Sequence, residues 1–227
     1  MSTLLLRLAA PLQSWGTDSK FETRRTGKEP SKSGVIGLLA AALGRRRDES
    51  VEDLNRLRFG VRVDQEGTLL RDYHTVKAEK TAYITERYYI QDAVFLAGLE
   101  SEDDTLLREL EQALHAPAFP LFLGRRSCPP DYPLCLGIRE ADLLTALHSE
   151  PWQASEWRQS RLPTRLRIVA DALPGSSERS VLRDVPISFD PIRGRRFGWR
   201  GVCLSGAEMT PPGQPEHDAM AELKGGA

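Results

Sequence analysis

Residues 33–43, SGVIGLLAAAL, are apolar on nearly every face once wound as a helix, and this constrains the fold more than any other stretch. Such a helix has to be covered on more than one side, so it lies against a sheet and beneath something else. A polar loop carrying Lys28, Ser31, Lys32 and Ser33 leads into it, just before Gly34. The first N–H groups of a helix have no intrahelical partner and sit at the positive end of its dipole, so this entry reads as an anion seat, suited to phosphate. Gly44 predicts the helix end, and Arg45-Arg46-Arg47 suits its negative terminus better as a cap than as an RNA contact.

Two hundred and twenty-seven residues allow one domain of ordinary size or one and a half, with length for a full core. No segment reaches the roughly 20 apolar residues of a membrane span. MSTLLLRLAA reads as a first strand and not as a signal peptide. Cys128, Cys135 and Cys203 cannot all pair with one another, which fits a reducing cytoplasm. The net charge of −1 conceals segregation: residues 20–47 hold eight Lys/Arg against two acids, and 156–200 hold ten Arg against five. Residues 100–111 reverse this, with six acids and one Arg. Separation of sign on this scale points to a polyanion on one face.

Taken in order, the pattern predicts a buried strand at 3–9, a turn at Gln13-Ser14-Trp15-Gly16, and a loop over 18–30. Trp15 is either a core or lid residue or a platform for a base. The buried helix follows, then a short helix or turn at 50–57 and a strand at 59–63. Residues 71–91 read as a long projecting β-hairpin around a polar middle, 77–80. A strand at 93–99 and an amphipathic helix at 103–114 come next, the latter with Leu106, Leu107, Leu110, Ala113 and Leu114 on one face. The run 119–137, FPLFLGRRSCPPDYPLCLG, reads as a strand, a Gly-Arg-Arg turn and a proline-rich connection. Strand–helix–strand twice over is the βαββαβ order of a ferredoxin-like or RNA-recognition-motif domain, an α+β class. Beyond about 141 the pattern is weaker: a short helix at 141–147, strands at 165–170 and 181–188, and a loosely held tail from 211 to 227.

Most catalytic chemistry fails on spacing. The stretch from Gly27 to Ser33 resembles a P-loop, but Ser31 stands where the second glycine belongs, the spacing is one residue short, and Pro30 removes a donor. A nucleotide switch is therefore disfavoured. Cys128 and Cys135 lie apart with prolines between them, and neither CxxC nor paired histidines suggest zinc. Tyr73 and His74, with Lys77 and Lys80 following, could supply a base and a cation for metal-free RNA cleavage. A Tyr-His pair that packs or stacks at the foot of a hairpin is the preferred reading.

Four pieces, LLLRLAAPLQSWG (4–16), RRTGKEPSKSGVIGLLAAALG (24–44), LRDYHTV (70–76) and FLGRRSCPP (122–130), occur in an order and spacing that resemble the CasD subunit family of the type I-E CRISPR Cascade complex. The resemblance covers roughly residues 3–140. It implies a modified RNA-recognition-motif domain over 1–140 with a hairpin "thumb" at about 71–92, and a smaller C-terminal β-containing part over 141–210. It further implies a non-catalytic subunit that grips the 5′ handle of the guide RNA, caps a backbone of CasC subunits and meets the large subunit CasA, with target DNA reached through the complex. No cofactor or metal is implied. Carried onto this chain, Arg24, Thr26, Lys28, Ser31, Lys32, Ser33 and Gly34 would hold handle phosphates, and Gln13 and Trp15 would lie beside handle bases. Arg125, Arg126 and Ser127 would make a second phosphate contact. Tyr73 and His74 would mark the thumb's foot, with residues 77–87, including Lys77 and Lys80, as a tip that wedges between nucleotides. In a related CRISPR type the counterpart subunit cuts repeat RNA, so metal-independent cleavage through Tyr73, His74 and Lys77 is the alternative.

Overall fold

The computed structural model describes residues 1–16, 22–77, 82–173, 175–176, 180–192 and 194–210; Lys80, the hairpin turn around it and the expected tail at 211–227 lie outside them. The chain runs β1 (Ser2–Ala9), β2 (Leu12–Gln13), β3 (Thr23–Arg24), α1 (Lys32–Ala42), α2 (Glu52–Asn55), β4 (Arg58–Gln65), β5 (Thr68–Lys77), β6 (Ala82–Gln91), β7 (Val94–Ser101) and α3 (Asp104–His115). It continues through β8 (Cys135–Arg139), α4 (Leu143–Ser149), α5 (Glu156–Gln159), β9 (Arg165–Asp171), β10 (Ser180–Ser188) and β11 (Arg196–Glu208). Seven strands form one sheet in the order β10-β11-β9-β4-β7-β1-β8, and every pairing in it is antiparallel. The class is α+β.

Alternation along the central strands sends side chains to two different cores. Leu4, Leu6 and Leu8 of β1, with Phe59, Val61, Phe95 and Ala97, face α1 and α3. Leu5 and Leu96 face the other way, against Leu143, Ala146 and Leu147 of α4. Buried strands covered on both faces read as continuous apolar runs, which is what LLLRLAA is. The covering of α1 is equally clear: Val35, Ile36, Leu38, Leu39, Ala40 and Ala42 are all buried. Its C-terminus closes with Gly44 N–H donating to Ala41 O and Arg45 N–H to Ala40 O, the paired bonds of a Schellman turn. The Arg45 backbone therefore does the capping. Its guanidinium, expected at the helix dipole, turns instead to Asp53 (2.6 Å) and the Ser50 carbonyl (3.1 Å).

One expectation changes, and two features add to the reading. Residues 119–123 form no strand; the strand after α3 is β8, beyond the proline-rich connection. β11, thirteen residues long, goes unread in the sequence because three glycines and scattered polar residues break its alternation. And the strands past 141 extend the first sheet, since β9 pairs with β4.

One of the charged side chains that join the two halves of the chain is buried at the centre of the sheet. Arg62 of β4 is fully buried and forked onto Asp64 (2.7 and 2.8 Å). Its remaining donors reach the Leu147, Glu150 and Pro151 carbonyls, so a cation seals the C-terminal end of α4. Removing one member of a buried ion pair strands the other. Arg62→Met is expected to lower unfolding stability by about 3–5 kcal/mol in urea denaturation, and Arg62→Met with Asp64→Leu to recover much of that loss.

Candidate nucleic-acid interface

The hairpin of β5 and β6 stands off the main sheet, held in register from Thr68↔Gln91 to Lys77↔Ala82. The free edge of β6 is taken by two short strands: β2 antiparallel at Gln91 and Ile90, and β3 parallel at Glu86 and Arg87. Ser14 Oγ adds a bond to the Tyr88 carbonyl (3.2 Å). The basic loop thus runs beside the foot of the hairpin, and a segment expected to be loop contributes a strand.

Three distant pieces lock together at that foot. Trp15 N–H donates to Thr26 Oγ1 (2.8 Å), and Gly27 N–H donates to the Trp15 carbonyl (2.6 Å). Ser14 N–H donates to Leu123 O (3.1 Å), while Leu123 N–H donates to Cys128 O and closes the 123–128 turn. Gly124 (φ 85°) lies so close to Ser14 that a Cβ would overlap its carbonyl oxygen. Only glycine combines that backbone conformation with that approach. Arg125 crosses the junction, donating Nη2–H to Arg24 O (2.9 Å) and lying 4.6 Å over the Tyr89 ring.

The residues singled out in the sequence divide sharply. Gln13 and Trp15, expected beside RNA bases, are 0% and 1% exposed. Gln13 donates to the Leu8 and Ala93 carbonyls and accepts from Trp15 Nε1–H, so the pair is satisfied inside the protein and presents nothing to a base. A Cβ on Gly34 would come within 2.8 Å of the Trp15 ring, so the small residue there admits the indole. Ser31 is the α1 cap, accepting from Gly34 N–H, and Ser33 lies within 3.3 Å of it. Lys32, expected on phosphate, is buried: its ammonium group donates to Leu57 O (2.8 Å) and pairs with Asp171 (3.0 Å). Its backbone N–H donates to Asp184 Oδ2 (2.8 Å), which occupies the anion seat at the helix start.

Arg24, Lys28, Arg126 and Ser127 are exposed and Arg125 half-buried; none of the four cations forms an ion pair among the described residues. On the hairpin, neighbouring residues face opposite sides. His74 lies with Asp72, to which its Nε2 is bonded, whereas Tyr73 lies with Arg71 and Lys77 on the other side. The trio expected for cleavage is therefore not assembled. Cys128, buried at the turn, has its thiol pushed up by burial.

Arg87 goes unread in the sequence. It is the register partner of both Arg24 and Asp72, and shares a face with Tyr89. Like Arg24 it makes no ion pair among the described residues, and Arg87 Nε and Arg125 Nη1 are buried donors without an acceptor there. A signal for it exists, alternation inward from a hairpin's polar turn, but the pairing with β3 is a tertiary fact.

A family model described as CRISPR-associated protein (Cas_Cas5) matches residues 3–203. The chain belongs to this CRISPR-associated family. Within it, the CRISPR system Cascade subunit CasD of Escherichia coli (strain K12) is 40% identical over 162 residues, 62% of this chain and 72% of that protein. A chain of a solved CRISPR RNA-guided surveillance complex superposes with a TM-score of 0.77 at 34% identity, covering 98% of both chains. A crystal structure of a Cas protein gives 0.71 at 41% identity, covering 92% of this chain and all of that one. Among the described residues no helix is long and apolar enough to cross a membrane. In this family member Gly124→Ala is expected to cost about 1–3 kcal/mol, the scale of a strained backbone position, and to expose the indole at the junction. A red shift of tryptophan emission alongside a lower melting temperature checks it.

Proposed function

We propose that this chain is a non-catalytic, RNA-binding subunit of a type I-E Cascade surveillance complex, and that it holds the 5′ handle of the guide RNA at the foot of its hairpin. The observation that carries the reading is the meeting of Arg24, Arg87 and Arg125 at one junction, with Lys28 and Arg126 on the two loops that form it and none of the five in an ion pair among the described residues. Asp72 is the acid on that face, and His74 engages it. Cations kept unpaired on a hydrogen-bonded frame are what a phosphate backbone needs, and guanidinium groups bind phosphate in two-pronged fashion.

The frame supports the rest of the reading. Among the first 140 residues, the main-sheet strands together with α1 and α3 run β1-α1-β4-β7-α3-β8 with spatial order β8-β1-β7-β4, an order that supports reading this part as a modified RNA-recognition motif. The hairpin is its thumb. Tyr73, Val76, Tyr83 and Ile84 are 48–65% exposed on it, an apolar surface for a wedge between nucleotides and for an adjacent CasC subunit. Unstacking a base costs a few kcal/mol, which phosphate contacts at the foot offset. Docking of CasA and service in antiviral DNA targeting follow from the same membership.

Binding of handle RNA across a salt series tests the reading. Arg125→Ala, Arg126→Ala and Lys28→Ala should each weaken binding and each flatten the log–log salt slope by about one. Lys32→Ala should destabilise the fold and leave the slope of the folded protein unchanged. Unchanged slopes in all the exposed-cation variants would overturn the proposal. For the absence of chemistry, repeat RNA incubated with the protein in EDTA should remain intact. Cleavage that disappears in His74→Ala would install the nuclease reading in its place.

A further inference from the structure

Beyond the thumb, α3 and β8 bring together three side chains that RNA binding does not use. Glu111 and His115 stand four residues apart on α3 and so project from one helix face. Cys135 begins β8, the edge strand against which α3 packs. One ligand atom from each residue lies within 4.8 Å of the other two. Neither Glu111 nor His115 is engaged in a hydrogen bond or ion pair among the described residues. Cys135 is 8% exposed, Glu111 half-buried and His115 exposed, so the cluster is dry at its sulfur and open at its imidazole.

We propose that Glu111, His115 and Cys135 form a zinc site that ties α3 to the edge strand, with the fourth position open to water. The donors are one thiolate sulfur, one imidazole nitrogen and one carboxylate oxygen, the set that a borderline-soft, tetrahedral ion takes. Calcium and magnesium, which demand oxygen ligands, do not fit it. Metal–ligand bonds of roughly 2.0–2.3 Å place tetrahedral ligands about 3.4–3.7 Å apart, so the observed cluster closes on an ion with small side-chain rotations. On binding, the Cys135 S–H bond gives way to a sulfur–zinc bond and its proton leaves to solvent. One carboxylate and one thiolate then balance the two charges of the ion. Arg139, whose charge acts on Cys135, is already held by Glu150 (2.9 and 3.0 Å) and by the Leu136 and Ile138 carbonyls, so it does not contest the carboxylate. Zinc fails in the sequence for Cys128 and Cys135 as a pair; this cluster needs Cys135 alone, with helix-spaced partners upstream.

The full chain, stripped with chelator and titrated with Co²⁺, tests the site. A thiolate-to-cobalt charge-transfer band should saturate at one equivalent, be displaced by Zn²⁺, survive in Cys128→Ser and Cys203→Ser, and vanish in Cys135→Ser. His115→Ala, an exposed change that leaves the core untouched, should weaken cobalt binding by at least about tenfold, since loss of an outer partner of a ligand alone typically costs 10–100-fold. Zn²⁺ should raise the melting temperature of the parent protein, while Mg²⁺ should not. Absence of the band in the parent chain, its persistence in Cys135→Ser, or unaltered affinity in His115→Ala would overturn the assignment.

Discussion

The carboxylate of Asp184 at the start of α1 is the contact on which much of the molecule turns. A buried helix needs acceptors for its first N–H groups, and here the chain supplies one from a strand 152 residues away in sequence. Arg200 holds that carboxylate with two donors (2.7 and 2.9 Å) and reaches Asp171 (2.6 Å), which pairs with Lys32. Four charges, all largely withdrawn from water, thus fasten α1 to β9, β10 and β11. Each satisfies another, which is the condition for keeping charge inside a protein.

With its helix terminus sealed from within, the chain has to present any phosphate-binding groups elsewhere. The unpaired cations of the junction lie on β3, on β6 and on the loops at 25–30 and 124–127, not at the helix start. The glycines and the tryptophan that sit among them serve the frame instead. Gly34 makes room for Trp15, Trp15 ties down Thr26 and Gly27, and Gly124 lets the 123–128 turn lie on Ser14. One set of residues shapes the junction and another bears its exposed charge. Their interleaving in the sequence is what makes them look like a single motif.

This division explains what could be read beforehand. α3 was legible because its signals are local: Asp103 caps it through its own side chain, and Leu107, Leu110 and Leu114 fall on one face. The hairpin was legible for the same reason. Lys32 was not, because a lysine in a polar loop looks alike whether it meets water or Asp171, and the difference lies 139 residues away. Nor could β11 be seen to complete a sheet begun by β1, since strand order is settled by pairing and not by composition.

Restraint at the foot also governs how the hairpin can work. Tyr73, Val76, Tyr83 and Ile84 are exposed on it, and the wedge role proposed for them requires an immobile base. The base here is bound along both edges of β6, by β5 on one side and by β2 and β3 on the other. The strand that bears Arg87 and Tyr89 is therefore the best restrained part of the hairpin, and Arg125 is packed across it. In the proposed reading, a load on the hairpin would be carried through β6 into the cation-bearing junction at its foot. Because β2 leads directly from β1 in the main sheet and β3 runs on toward α1, neither side of that junction can yield without disturbing the core.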